Sequence, residues 1–167
     1  MTLESEVVSQ VAEMLKARGE TIAVAESTTG GLISARLLAV PGASAYFLGG
    51  TVIYTRESRK VFLGASADEM RGVKPMTEEM AQFFATRVRE KLAATWGIAE
   101  LGIAGPSGSA YGVDAGSSVI AVSGPTDAAI TMSTGNNDRA RNMEAFTDNA
   151  CQLLKDVLSG EPSAPSG

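Results

Sequence analysis

Thr21-Ile22-Ala23-Val24-Ala25-Glu26-Ser27-Thr28-Thr29-Gly30-Gly31-Leu32 is the stretch that decides the fold. Thr21 to Ala25 is a short apolar run and reads as a buried strand. Thr28-Thr29-Gly30-Gly31 forms a turn, after which Leu32, Ala35, Leu38 and Ala39 recur at helical spacing until Pro41-Gly42 stops them. The first amides of a helix lack internal partners and carry a partial positive charge, and glycines let a phosphate or an oxyanion approach the backbone. Strand, Ser27-Thr28-Thr29-Gly30-Gly31 and helix together predict an anion-binding turn lined with hydroxyls. A plainer reading is that Ser27 or a neighbouring Thr only caps the helix. The turn is neither a Walker loop, since no Gly-Lys-Ser/Thr follows, nor a dinucleotide fingerprint.

Working outward, Leu3, Val7, Val8, Val11 and Leu15 predict an amphipathic helix that Gly19 ends. Tyr46 to Tyr54 reads as a strand, with Gly49-Gly50 as a bulge or a point of close approach. Glu57 to Leu63 predicts a short helix, and Thr77 to Trp96 a longer one that starts on a Thr cap followed by Glu78 and Glu79. Ala99–Ala104, Ser117–Val122 and Ala128–Ser133 read as strands, the first two joined by the glycine-rich loop Gly105 to Gly116. Asp138 to Leu158 predicts the last helix. Alternation of this kind implies an α/β fold, a three-layer sandwich with a mainly parallel central sheet and helices on both faces. Residues 1–158 read as a single domain and 159–167 as a disordered tail, since Glu161 to Gly167 has nothing to bury.

Composition narrows the partners. A chain of 167 residues with 44% hydrophobic and 20% charged residues belongs with globular proteins. The net charge of −5 and the lack of a Lys/Arg block argue against a nucleic-acid surface. No apolar run has the length of a membrane span and the N-terminus is not a signal sequence, so no membrane partner and a cytoplasmic location are expected. Histidine is absent, which removes Ser-His-Asp and Cys-His triads and imidazole metal sites. Cys151 has no second cysteine to join it and reads as a small buried hydrophobe. Neither a metal nor a cofactor is expected.

Three further segments carry candidate chemistry. Gly49 to Lys60 places Tyr54 near a strand end, where open sheets put functional groups; an ordinary edge-of-core tyrosine is the plainer reading. Leu101-Gly102-Ile103-Ala104-Gly105-Pro106 runs from a strand into a loop of small residues that a flat ligand could lie against, or that merely connects. Gly135-Asn136-Asn137-Asp138-Arg139-Ala140-Arg141 starts a helix with cations, or is a solvated helix face.

These segments, in this order, resemble the C-terminal domain of the competence/damage-inducible protein CinA. Ala25-Glu26-Ser27-Thr28-Thr29-Gly30-Gly31 is similar to that family's Ala-Glu-Ser-Cys-Thr-Gly-Gly motif, with Thr28 in place of cysteine. Pro41-Gly42-Ala43-Ser44, Val52-Ile53-Tyr54, Gly102-Ile103-Ala104-Gly105-Pro106 and the spacing of Gly135, Asp138 and Arg141 follow in family order. The resemblance spans the chain apart from the tail and lacks the extra N-terminal domain of longer members. It looks like the stand-alone form, a nicotinamide-nucleotide amidohydrolase that converts nicotinamide mononucleotide and water to nicotinate mononucleotide and ammonia. It implies that Ser27 attacks the carboxamide carbon to give an acyl-enzyme, with the amides of Thr29 and Gly30 stabilising the oxyanion. Tyr54 and a lysine would manage the proton, Arg141 would hold the 5′-phosphate, and the protein would be a homodimer. Thr28, Gly31, Gly102, Ala104 and Gly105 would complete the substrate site. The family lysine falls on Arg59, with Lys60 beside it, and the hydroxyl residue often found before Gly-Ile-Ala-Gly-Pro is Leu101. A guanidinium, with a pKa of about 12.5–13.8, is no base near neutrality. Two functions therefore remain: hydrolysis of the amide, or binding of a nucleotide or pyridine ligand without turnover. A purely structural or partner-binding domain is the third.

Overall fold

A computed structural model describes residues 2–160. Its elements follow in the order α1 (Glu6–Arg18), β1 (Ile22–Glu26), α2 (Leu32–Leu38), β2 (Phe47–Val52), α3 (Arg56–Leu63), α4 (Glu78–Lys91), β3 (Trp96–Ile103), β4 (Ser117–Ser123), β5 (Ala128–Ser133) and α5 (Arg139–Ser159). One five-stranded sheet has the order β2-β1-β3-β4-β5. β1 runs parallel to both β2 and β3, while β4 is antiparallel to β3 and β5. Only β4 is reversed, so the sheet is mixed but mostly parallel in strand direction. A parallel return needs a crossover element. The loop between β3 and β4 contains no helix to provide one, and the chain turns straight back.

Side chains alternate across the sheet as period-2 geometry requires. Ile22, Val24, Ile98, Ile120 and Val122 join the core formed with α1, α2 and α5. Ala23, Ala25, Ala99, Val119 and Ala121 face α3 and α4, against Leu63, Phe84 and Val88. Small residues on this second face let α4 lie close to the sheet. A Cβ on Gly97 would stand 2.1 Å from the Ala85 carbonyl oxygen. Helices thus cover both faces, as the sequence pattern implied. Cys151 is 3% exposed in the first core, and burial pushes its thiol up to about 12.

Several boundaries move. Ser5 caps α1, which leaves Leu3 outside the helix and exposed. The helix expected to reach Trp96 stops at Lys91. Ala93 takes a left-handed φ of 51° and the Ala94 N–H donates back to Arg89 O at 2.9 Å, closing the helix end. Trp96 then pairs with Ile22, so β3 begins before the expected Ala99. At Gly49-Gly50 the expected close approach occurs, while the bulge falls one residue earlier, at Leu48. The β1–β2 register shifts between Ile22 and Ala23, and a Cβ on Gly50 would lie 2.3 Å from Ser34 Oγ. Tyr54 falls just beyond β2. Ser159 closes α5 and Gly160 caps it, while residues 161–167, the body of the expected tail, lie outside the described residues. Among the described residues no helix is long and apolar enough to cross a membrane.

Candidate functional site

Ser27 leaves the sheet at the C-terminal end of β1, and the turn reaches α2 through Gly30 (φ 62°) and Gly31 (φ 108°). Both glycines hold left-handed conformations that other residues rarely adopt. Gly31 occupies the N-cap of α2 and offers no side chain, so Glu26 supplies the cap. Its carboxylate accepts the N–H groups of Ile33 (3.1 Å) and Ser34 (3.0 Å) and the hydroxyls of Ser34 (2.8 Å) and Thr29 (2.6 Å). Glu100, the register partner of Glu26 on β3, performs the same service for the turn. It accepts the N–H groups of Ser27 (3.0 Å) and Thr29 (3.1 Å), the Thr29 hydroxyl (3.0 Å) and the Thr28 hydroxyl. Both carboxyls are 0% exposed. Burial pushes the Glu100 carboxyl above the usual range, while its donors pull it back.

This corrects the expectation of a turn that offers free amides to an external anion. Two carboxylates of the chain itself already occupy that role. The amides of Thr29 and Gly30, expected as oxyanion donors, are bonded to Glu100 and to Ser27 O (3.1 Å). Among the described residues, the N–H groups of Thr28 and Gly31 have no protein acceptor.

Ser27 and Thr28 line a cleft of about 230 Å³ with Tyr54, Arg59, Gly102 and Tyr111. They are only 5% and 8% exposed, at its floor. The Tyr54 hydroxyl accepts from Arg139 Nη2 at 3.2 Å, and Arg139 Nη1 donates to Gly105 O at 2.6 Å. A capping box between Thr55 and Ser58 starts α3 and turns Arg59 inward. Arg59 Nε donates to Ile53 O at 3.2 Å and its guanidinium lies over the Phe84 ring at 5.1 Å. Burial lowers the Arg59 pKa, which the nearby Tyr111 opposes and the charge of Arg56 reinforces; the group remains a cation. Gly102 must be glycine, because a Cβ there would stand 2.4 Å from Thr28 Oγ1 and 2.9 Å from Glu100 Oε1.

Of the residues singled out from sequence, Ser27, Thr28, Tyr54, Arg59 and Gly102 meet at this cleft. Lys60 faces an adjoining cleft instead, since one residue along a helix is a rotation of about 100°. Thr29 points to the buried carboxyls. Gly30 and Gly31 shape the turn. Ala104 and Gly105 are buried, and their carbonyls accept from Asn142 Nδ2 (2.8 Å) and Arg139. Arg141 is exposed, 3.8 Å from Asp138, and does not line the Ser27 cleft. Two residues escaped the sequence reading, Glu100 and Tyr111, while Arg139 was read only as one of the cations at the start of a helix. Glu100 left a signal, a lone carboxylate inside the apolar run Trp96 to Ala104. Tyr111 left none, because a loop carries no periodicity that points it at Ser27, and the cation-bearing helix start was legible without its contact from Arg139 to Tyr54.

Residues 4–158 match the model of the CinA C-terminal domain family. A CinA-like protein of Myxococcus xanthus is 35% identical over 158 residues, covering 93% of this chain and 37% of that protein. One from Prochlorococcus marinus is 39% identical over 122 residues, covering 73% of this chain and 28% of that protein. The chain thus spans well under half the length of these curated relatives. Among solved structures, a competence-damaged protein (CinA) superfamily protein from Klebsiella pneumoniae superposes with a TM-score of 0.86 at 27% identity, covering 93% of this chain and 97% of that one. A competence/damage inducible protein from Agrobacterium tumefaciens gives 0.81 at 26% identity, covering 95% and 99%.

Proposed function

The chain belongs to the CinA C-terminal domain family, and on that premise we propose that it hydrolyses the carboxamide of nicotinamide mononucleotide, in the cytoplasm, to nicotinate mononucleotide and ammonia. The observation that carries the reading is the convergence of Ser27, Tyr54 and Arg59 on one cleft at the C-terminal end of β1, where open α/β sheets bind ligands. Ser27 Oγ adds to the carboxamide carbon and its proton passes to the departing amine, giving an acyl-serine and ammonia. Water then cleaves the ester, releasing nicotinate mononucleotide and restoring Ser27. Tyr54 is the cleft's candidate proton carrier, and the Thr28 N–H is the turn amide available to the oxyanion. No step calls for a metal or cofactor. The homodimer stays part of the proposal, supported by the exposed Leu48, Val52, Val61 and Phe62 of β2 and α3, and sedimentation tests it.

Two observations favour a second reading, binding without turnover. Arg59 cannot take a proton, and Glu100 occupies turn amides that an oxyanion would use. Incubation with nicotinamide mononucleotide separates the two. Ammonia release that Ser27→Ala abolishes supports hydrolysis; saturable binding with no ammonia supports the second.

A further inference from the structure

The turn that closes the Ser27 cleft cannot easily host the phosphate of a nucleotide. Glu26 and Glu100 lie directly beneath it and already accept most of its amides, so a phosphate there would face two buried carboxyls with only the Thr28 and Gly31 N–H groups still unpaired among the described residues. The anion must be met elsewhere.

Arg59 points to where. It lines the Ser27 cleft and also a second cleft of about 330 Å³ between α3 and the segment that precedes α4. Pro75 and Met80 are likewise common to both, so the two clefts adjoin at the Arg59 side chain. Arg56 and Lys60 line the second cleft, together with Glu57 and the apolar Met70 and Val73. Among the described residues no carboxylate forms an ion pair with Arg56, Arg59 or Lys60. Arg59 is half-buried, and among the described residues the one hydrogen bond of its side chain is from Nε to Ile53 O. A partly desolvated guanidinium with unused Nη donors, next to a second arginine of the same sign, is stabilised when an anion arrives.

We propose that this second cleft is the anion subsite of the ligand, in which Arg59, Arg56 and Lys60 hold a phosphate monoester while the opposite end of the ligand reaches Ser27. The inference rests on the nucleotide reading above and deepens it. It also gives Arg59 a role that its chemistry allows: a planar fork of donors suits a phosphate, and a permanent charge suits an anchor rather than a base. Arg139, the other cation near Ser27, already spends donors on Gly105 O and on Tyr54.

Calorimetric titration with ribose 5-phosphate, nicotinamide mononucleotide and phosphate-free nicotinamide riboside tests it. The Arg56→Ala/Lys60→Ala variant removes two exposed side chains that make no hydrogen bond or ion pair among the described residues, so its fold should persist, as circular dichroism will check. A charged hydrogen bond contributes about 1.5–3 kcal/mol, so the variant should bind both phosphate esters at least roughly tenfold more weakly and leave riboside binding unchanged. Unchanged affinity for the esters in that variant, or the same loss in Arg141→Ala, would overturn the proposal. A wild type that binds no phosphate ester overturns it as well. Binding of ribose 5-phosphate without nicotinamide mononucleotide would keep the anion subsite and sink only the nicotinamide reading.

Discussion

Glu26 and Glu100 stand opposite each other in the β1–β3 register, with the Thr29 hydroxyl between them, 2.6 Å from one carboxyl and 3.0 Å from the other. One hydroxyl carries one proton and can fully satisfy only one of them at a time. The pair is tolerated because the amides of the turn and of α2 converge on it. The conformation of the Ser27 turn is therefore fixed from below by β3.

Removing Glu100 should loosen that turn before anything else. Glu100→Ala removes the side-chain acceptor of the Ser27 and Thr29 N–H groups. The Ser27 N–H keeps the backbone carbonyl of residue 100 (3.0 Å), the Thr29 N–H is left without an acceptor among the described residues, and such an unsatisfied buried donor costs about 1–3 kcal/mol. Urea denaturation should show a fall of this size. A change below about 1 kcal/mol would mean that the carboxyl does not hold the turn.

The protonation of Glu100 can be read from the pH dependence of stability. Burial raises its folded pKa above the ordinary value of 4.5. The unfolded chain loses this proton first as pH rises, so the Glu100 contribution is full below 4.5 and is lost as pH climbs through the folded pKa. The stability of wild type minus that of Glu100→Gln should consequently shrink as pH rises through that window. A constant or growing difference would place the folded pKa at or below the ordinary one.

Gly102→Ala tests the wall of the cleft. Its Cβ would meet Thr28 Oγ1, Glu100 Oε1 and, at 2.7 Å, the Phe146 ring, and such overpacking costs about 1–3 kcal/mol. The displaced Thr28 hydroxyl borders Ser27, so ligand binding should fall along with the melting temperature. A variant that keeps both at wild-type values would show that the wall yields without consequence.

Position 59 separates the two functional readings. If the protein hydrolyses nicotinamide mononucleotide, Ser27→Ala and Tyr54→Phe should abolish ammonia release, and Arg59→Lys should preserve or raise it, since an amine can exchange a proton and a guanidinium cannot. Wild type that is silent alongside an Arg59→Lys variant that turns over would show a binding protein that has lost its base. Turnover that survives Ser27→Ala would remove Ser27 as the nucleophile.

By itself the sequence determined the layers and several of the residues that gather at the candidate cleft. Period-2 and period-3.6 apolar patterns are local, and they marked β1, β4, β5, α1 and α5 to within a few residues. Ser27 to Gly31 revealed a strand-to-helix turn because glycine at positive φ leaves a chemical signature. Ser27, Tyr54, Arg59 and Gly102 were all legible as ordered motifs, and they do converge. Tertiary structure decided the rest. The end of α4 at Lys91 depends on Trp96 pairing with Ile22, a contact across distant sequence. Free amides at the turn were a sound expectation until Glu100 arrived from a neighbouring strand to take them. Lys60 and Arg141 point away from Ser27 because helix phase, rather than proximity in sequence, sets which way a side chain faces. Periodicity shows that a residue is buried or exposed, but which partner fills its hydrogen bonds is settled only when separate strands come together.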